Sequence, residues 1–315
     1  MKWYVDEGLQ FPERRRFHDP ASCSGIDVIP ARDCFVGELL QPHERVDEPE
    51  EADFCLVPWL FDVWNPGFSA WHREQVFLQV LRTLPHFEEA PTRHVMFLLG
   101  DSCHRPDCCA RSAVFMPSCL RGTRAFALPY FAEPPDRTPL PISECPFDVG
   151  FQGTITTGLG LRGRLVEALR SSPGARRFTV DCLPTNGYFH ATYFWDEHAR
   201  LKTRFREHLN NCRFIACPRG DGLSSLRFFE ALAWGRIPIL IADDTALPLD
   251  GVIPYHEFVV RVPEGDVANW EAWVEDFLAL HPDLERASRL AAETSRRWFT
   301  VPTLSRLVAD SLSFR

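Results

Sequence analysis

The sequence predicts an α/β protein of two halves, each built on a mainly parallel sheet, that form a cleft. Three observations carry this. Short apolar runs alternate with segments of helical periodicity along most of the chain, the pattern of strands covered on both faces. A loop holding five prolines, Glu133 to Pro146, falls between two such sets and reads as a stiff, extended connector. Near the C-terminal end, Arg213 to Ala242 reads as strand, glycine turn, capped helix and strand, one complete βαβ unit. The expected domains are residues 1–140 and 141–315.

In the first half, Lys2 to Val5 opens as a strand, and Gly25 to Pro30 reads as a second. An acidic, turn-rich stretch leads into DFCLVPWL, Asp53 to Leu60, a buried strand cut short at Pro58. Trp71, Val76, Phe77, Val80, Leu81 and Leu84 recur at helical spacing, and Pro85 closes that helix. HVMFLLGDSCH, His94 to His104, is an apolar strand that breaks at Gly100–Asp101. Short strands near Ala113 to Met116 and Ala125 to Leu128 complete the set. The second half runs through a strand at Phe147 to Gly153, a helix at Leu161 to Ser171 and a strand at Arg177 to Asp181. A helix at Leu201 to Asn210 precedes the βαβ unit, and amphipathic helices follow at Trp270 to Leu280 and Leu284 to Phe299.

Composition narrows the function. The chain has 315 residues, 45% hydrophobic and 24% charged, enough for a sizeable core. A formal charge of −9 with interspersed positive residues argues against nucleic acid as a partner. There is no integral membrane segment and no targeting signal, so a cytoplasmic protein, or a soluble fragment whose anchor is absent, is expected. Among eleven cysteines, only CHRPDCC from Cys103 to Cys109 is dense, and it lacks the paired spacing of a zinc site. No metal is expected there, nor at Asp243–Asp244, a strand-end turn; no Asp-x-Asp triplet is present.

The turn after Cys217 holds Arg219, Gly220 and Gly222, and Ser224 or Ser225 can cap the next helix. A helix N-terminus behind a glycine turn offers backbone N–H groups to an anionic ligand. Arg227 and Glu230 are three apart on one face of that helix. A nucleoside diphosphate needs a cation for its phosphates and a carboxylate for its ribose, which these two residues would supply. The alternative is an exposed i,i+3 ion pair worth a few tenths of a kcal/mol.

The stretch from Cys217 to Glu264 resembles the exostosin family of glycosyltransferases: PRG-x-G, then Ser225, Arg227, Glu230–Ala231, Gly235, Ile237–Pro238, Leu247–Pro248, Val252, Phe258 and Glu264. Weaker echoes come earlier, in order, at EEADFCLVP, HVMFLLGDSCH, ALPYF and GFQGTITTGLGLRGRL, where Arg162 is the matching arginine. Arg236 stands where the family often has cysteine, and Tyr255 where it often has tryptophan. The resemblance implies a GT-B architecture, two Rossmann-like domains facing a cleft, and transfer of a sugar from a nucleotide-sugar donor, usually a UDP-sugar, to a glycan hydroxyl with inversion, without a required cofactor. It implies that Arg162, Arg219, Ser225 and Arg227 lie near the donor diphosphate, with Gly220 and Gly222 in the turn, and Glu230 at the ribose. Direct displacement also needs a general base. Asp101, at the end of its strand, is the first candidate and His104 the second; Asp62 is a third. Trp59, Trp64 and Trp71 could stack on acceptor sugars, although Trp71 lies on an apolar helical stripe. Two other readings stay open. One is a nucleotide-binding protein without turnover. The other is a retaining GT-B enzyme, for which Glu230 lacks a second glutamate seven positions away.

Overall fold

The computed structural model describes residues 1–5, 37, 39–41, 43–57, 75, 78–79, 81–97, 107–123, 125–130, 132–156, 158–172, 177–183 and 195–313. The chain divides into two compact units. One comprises residues 1–131, 245–248 and 299–315, the other residues 132–244 and 249–298.

The first unit is built on β1 (Lys2–Val5), β2 (Glu44–Arg45), β3 (Phe54–Val57), β4 (His94–Phe97), β5 (Ala113–Met116) and β6 (Phe126–Ala127). All neighbours are parallel, in the order β2-β1-β3-β4-β5-β6. FCLV, HVMF and AVFM are almost wholly buried, as strands covered on both faces must be. The edge strand β2 was not expected from its acidic, turn-rich surroundings; it is two residues long and exposed, a form that discourages further pairing. The expected strand at Gly25 to Pro30 lies outside the described residues.

The second unit contains β7 (Phe147–Thr154), α1 (Leu161–Ser171), β8 (Phe178–Leu183), α2 (Trp195–Asn211), β9 (Cys212–Pro218), α3 (Leu226–Ala233), β10 (Ile237–Ile241), β11 (Val260–Val262), α4 (Trp270–Leu280) and α5 (Leu284–Trp298). Its sheet is parallel throughout, in the order β11-β10-β9-β7-β8. The two Rossmann-like sheets of the expected GT-B type are therefore both present. In this doubly wound order, successive connections diverge from the β7–β9 border, and the crevice at the strands' C-terminal ends there is the usual place for a ligand.

Three expectations change. A final helix, α6 (Val301–Ser313), was not read from the sequence, and it belongs to the first unit. Leu304, Val308 and Leu312 repeat every fourth residue and enter the core of Trp3, Leu56, Val95 and Phe115. An apolar stripe of this kind requires a partner, but its spacing cannot say which sheet supplies it. Residues 245–248 also join the first unit, where the Ala246 amide donates to the Cys119 carbonyl over 2.9 Å. Finally, the proline loop does not space two domains at residue 140. It begins the second unit at Ala132 and packs along α2, where the Leu140 amide donates to Asn210 Oδ1 over 3.0 Å and Ile142 is buried. Helix α2 starts at Trp195, earlier than its apolar spacing suggested.

Candidate functional site

Two loops meet at the β7–β9 border of the second unit. After β7 the chain passes through Gly158, Leu159 and Gly160, whose φ values of 74°, 51° and 79° are all left-handed, and enters α1. At Gly158 both conformation and space call for glycine, because a Cβ would stand 2.8 Å from the Arg219 carbonyl oxygen. Its amide donates to Asp221 Oδ1 over 3.0 Å. After β9, Arg219 is fixed by its amide to the Ile241 carbonyl at 3.0 Å, and the chain runs through Gly220, Asp221 and Gly222 to α3.

Five of the expected donor-side side chains converge here, in different states. Arg162, in the first turn of α1, donates from Nε to the Arg219 carbonyl (3.2 Å) and from Nη1 to the Thr154 carbonyl (3.3 Å). It clasps the two loops together. Gly220 leaves room for it, since a Cβ there would lie 3.3 Å from Arg162 Nη2. Arg219 pairs through Nε with Glu264 Oε1 at 2.5 Å and donates from Nη1 to the Gly220 carbonyl at 3.1 Å. Glu264 accepts from the Asp243 amide at 3.3 Å and returns its own amide to Asp243 Oδ1 at 2.9 Å. The Arg219 charge is thus matched by a carboxylate, and the pair ties together the C-terminal ends of β9, β10 and β11.

Ser225 occupies the N-cap position of α3 with extended backbone (φ −131°, ψ 117°) and is buried, yet its hydroxyl makes no capping bond. The position was legible; the capping hydrogen bond is not formed.

Arg227 and Glu230 behave differently from the rest. They form no ion pair with each other, so the i,i+3 surface pair is not what the structure contains. Among the described residues Arg227 has no carboxylate in ion-pair contact, and its Nε is buried without a partner. Its Cζ lies 5.3 Å from the Phe151 ring centroid and 5.8 Å from that of Phe205. Glu230 accepts no hydrogen bond among the described residues. Burial raises its carboxyl to about 7, opposed by Arg227; Glu133 adds a smaller upward push and Lys202 a smaller downward one. Glu133 is itself held by Lys202 at 2.7 Å and Arg206 at 2.8 Å, and Arg206 reaches Asp136 at 2.9 Å. Nearby, burial and then the Arg227 charge push His208 down to about 4, so it is neutral at physiological pH.

The Glu230 shift has a measurable consequence. A carboxyl raised in the folded state binds a proton that the unfolded state has already released between about 4.5 and 7. Stability therefore falls as pH rises through that window. Glu230→Gln removes this fall: the variant matches the parent near pH 4.5 and melts higher than the parent at pH 8. Parallel melting curves across that range would remove the basis for the shift.

Sequence reasoning passed over Phe205, Gly153, His208, Glu133 and Lys202. Phe205 sits on the apolar stripe of α2 with Leu201 and Leu209, which marks it as core and nothing more. Asp101 and His104, the expected bases, lie outside the described residues, as do Asp62, Trp59, Trp64 and Trp71. Among the described residues no three His, Cys, Asp or Glu side chains gather as a metal site, and no two described cysteines are joined in a disulfide. No described helix is long and apolar enough to cross a membrane.

Comparison with known proteins falls on this same region. Residues 149–277 match the Exostosin GT47 domain. A probable glucuronosyltransferase of Oryza sativa subsp. japonica, Os04g0398600, is 36% identical over 95 residues, 30% of this chain and 22% of that protein. The probable beta-1,4-xylosyltransferase IRX10 of Arabidopsis thaliana is 42% identical over 65 residues, 21% of this chain and 16% of that protein. The matched segments thus span about a fifth of the length of these relatives. The solved structure of WaaG, a glycosyltransferase involved in lipopolysaccharide biosynthesis, aligns over 99% of this chain and 100% of its own at 11% identity, with a TM-score of 0.46. The matched residues 149–277 take in Phe151, Arg162, Arg219, Arg227, Glu230 and Glu264, and over this segment the chain is similar to the exostosin family.

Proposed function

We propose that this chain is an inverting glycosyltransferase that moves a sugar from a nucleotide-sugar, a UDP-sugar, to a hydroxyl of a glycan acceptor. The observation that carries the reading is that Arg227 and Glu230, on α3 beside the β7–β9 border, are not in ion-pair contact and that the Arg227 Nε is buried without a partner. A guanidinium and a carboxylate held apart at that border suit a diphosphate and a ribose, each completing the partner set of one side chain. The names of the relatives, glucuronosyl- and xylosyltransferases, support the same class.

In this reading the donor diphosphate lies over the N-terminus of α3 beside Arg227 and Ser225, with Gly220 and Gly222 letting the backbone approach. Arg162 and Arg219 shape the loops that receive it. Glu230 accepts hydrogen bonds from the ribose hydroxyls. As the bond from the anomeric carbon to the β-phosphate oxygen breaks, negative charge grows on the leaving UDP. Arg227 and the helix amides are already oriented toward it, and fixed charge of this kind lowers the barrier without rearrangement. Donor activation is thus assigned to fixed cations. Asp101, with His104 as the second candidate, takes the proton of the acceptor hydroxyl, whose oxygen attacks the anomeric carbon opposite the leaving group.

The test is a transfer assay with a panel of UDP-sugars that includes glucuronic acid and xylose, reading the anomeric configuration of the product by NMR. An α-linked donor yields a β-linked product under this proposal. An α-linked product would sink the inverting assignment. UDP binding with neither transfer nor hydrolysis would leave a nucleotide-binding protein without turnover.

A further inference from the structure

Arg227 sits on an aromatic seat. Its Cζ is within 6 Å of two ring centroids, Phe151 of β7 at 5.3 Å and Phe205 of α2 at 5.8 Å, the range in which a ring face attracts a cation. Phe151 is fully buried and Phe205 nearly so, which leaves both rings little freedom to leave the guanidinium. Its Nε is shut off from solvent without a hydrogen-bond acceptor. Two residues further along β7, Gly153 completes the seat: a Cβ there would stand 2.6 Å from Arg227 Nη2, so any side chain at 153 would displace the guanidinium.

An arginine held by carboxylates is both positioned and neutralised, as Arg219 is by Glu264. An arginine held by ring faces is positioned with its charge intact. Carbonyl or carboxylate partners would compete with an incoming anion for the same N–H groups, whereas ring faces leave their outward edges available. His208, buried beside it, adds no competing positive charge while it stays neutral.

We infer that Phe205, with Phe151 and Gly153, is a positioning element that presents the Arg227 guanidinium to the donor's diphosphate without a carboxylate in ion-pair contact. The inference rests on the reading that Arg227 faces that diphosphate, and it names a helix, α2, that the glycine-turn signature does not include. Phe205 touches no reacting atom and acts through Arg227.

The experiment has a ligand-independent arm and a ligand arm. In the first, the Arg227 Nε–H resonance, identified by its loss in Arg227→Lys, is followed by NMR in the unliganded protein. It exchanges slowly with water in the parent and is lost or fast in Phe205→Leu, while the amide spectrum of the rest of the second unit is retained. In the second, UDP and uridine are titrated separately into both proteins. Phe205→Leu weakens UDP by about tenfold, the scale of one desolvated cation–aromatic contact, and changes uridine by less than about twofold. In an Arg227→Met background, Phe205→Leu has no further effect on UDP.

Equal weakening of UDP and uridine would mark Phe205 as ordinary core and overturn the inference. So would UDP binding that Phe205→Leu leaves untouched. Failure of the parent to bind UDP would overturn the proposed function instead; a slow Nε–H that Phe205→Leu abolishes would still uphold the seat, and one that Phe205→Leu leaves unchanged would overturn it.

Discussion

Replacing Arg227 by alanine weakens UDP binding by about ten- to a hundredfold, the scale of losing hydrogen bonds from a charged donor to an anion. The size of the effect follows from the surroundings. Among the described residues Arg227 has no carboxylate in ion-pair contact, and its Nε is enclosed. Binding therefore does not first have to break an ion pair, and almost all of the interaction appears as affinity. Lysine is a poor substitute, because a point charge on a flexible stem neither stacks on the Phe151 and Phe205 faces nor offers two parallel donors. Arg227→Lys is expected to recover less than half of the loss in binding free energy. Arg227→Ala also relieves the protein, since it removes a buried, partnerless Nε and the charge beside His208. A melting temperature no lower than the parent's, together with the lost affinity, separates a binding role from a structural one. Calorimetric titration alongside a thermal melt reads both.

Arg236→Ala lowers the stability of the second unit by about 3–5 kcal/mol, the range for emptying a large buried site and leaving acceptors unpaired. Arg236 is 1% exposed and follows Gly235, whose φ of 65° ends α3. Its Nε donates to the Leu209 carbonyl at 2.8 Å and its Nη2 to the Asn210 carbonyl at 3.0 Å. These are terminal carbonyls of α2, which a helix cannot satisfy by itself and whose dipole favours a cation. Gly235 and Arg236 thus finish two helices at once, α3 by conformation and α2 by hydrogen bonds. Arg236→Met keeps most of the volume and loses only the polar part, so it costs about half as much. Urea unfolding followed by a probe in the second unit measures both; a loss below about 1 kcal/mol for Arg236→Ala would show that water replaces the guanidinium at those carbonyls.

The site was legible in parts, and the division has physical causes. Gly220, Gly222, Ser225, Arg227 and Glu230 lie within eleven consecutive positions, so a turn, a helix start and a helix face could be read together. The parallel sheets were legible because HVMF, AVFM and IPILI must be apolar on both faces. Pairings across long separations left no such trace. Arg219 meets Glu264 from 45 positions away, a pairing that braces three strand ends. Phe205 reaches Arg227 from another helix, and on its own stripe it reads as ordinary core. Helix α6 carries a clear apolar face at Leu304, Val308 and Leu312, but periodicity gives a face and not its partner, so its return to the first sheet was missed. The proline loop was read from composition as a spacer. Its side chains and amides instead bind α2, through Glu133 to Lys202 and Arg206 and through Leu140 to Asn210.

In the proposed function Arg227 and Glu230 stand apart to receive a nucleoside diphosphate. Titration calorimetry of the intact chain with UDP and, separately, with uridine tests it most directly. One UDP is expected to bind per chain, at least about tenfold more tightly than uridine, because the diphosphate engages a charged donor. Equal affinity for the two, or no heat from UDP at concentrations that saturate ordinary nucleotide sites, would contradict it.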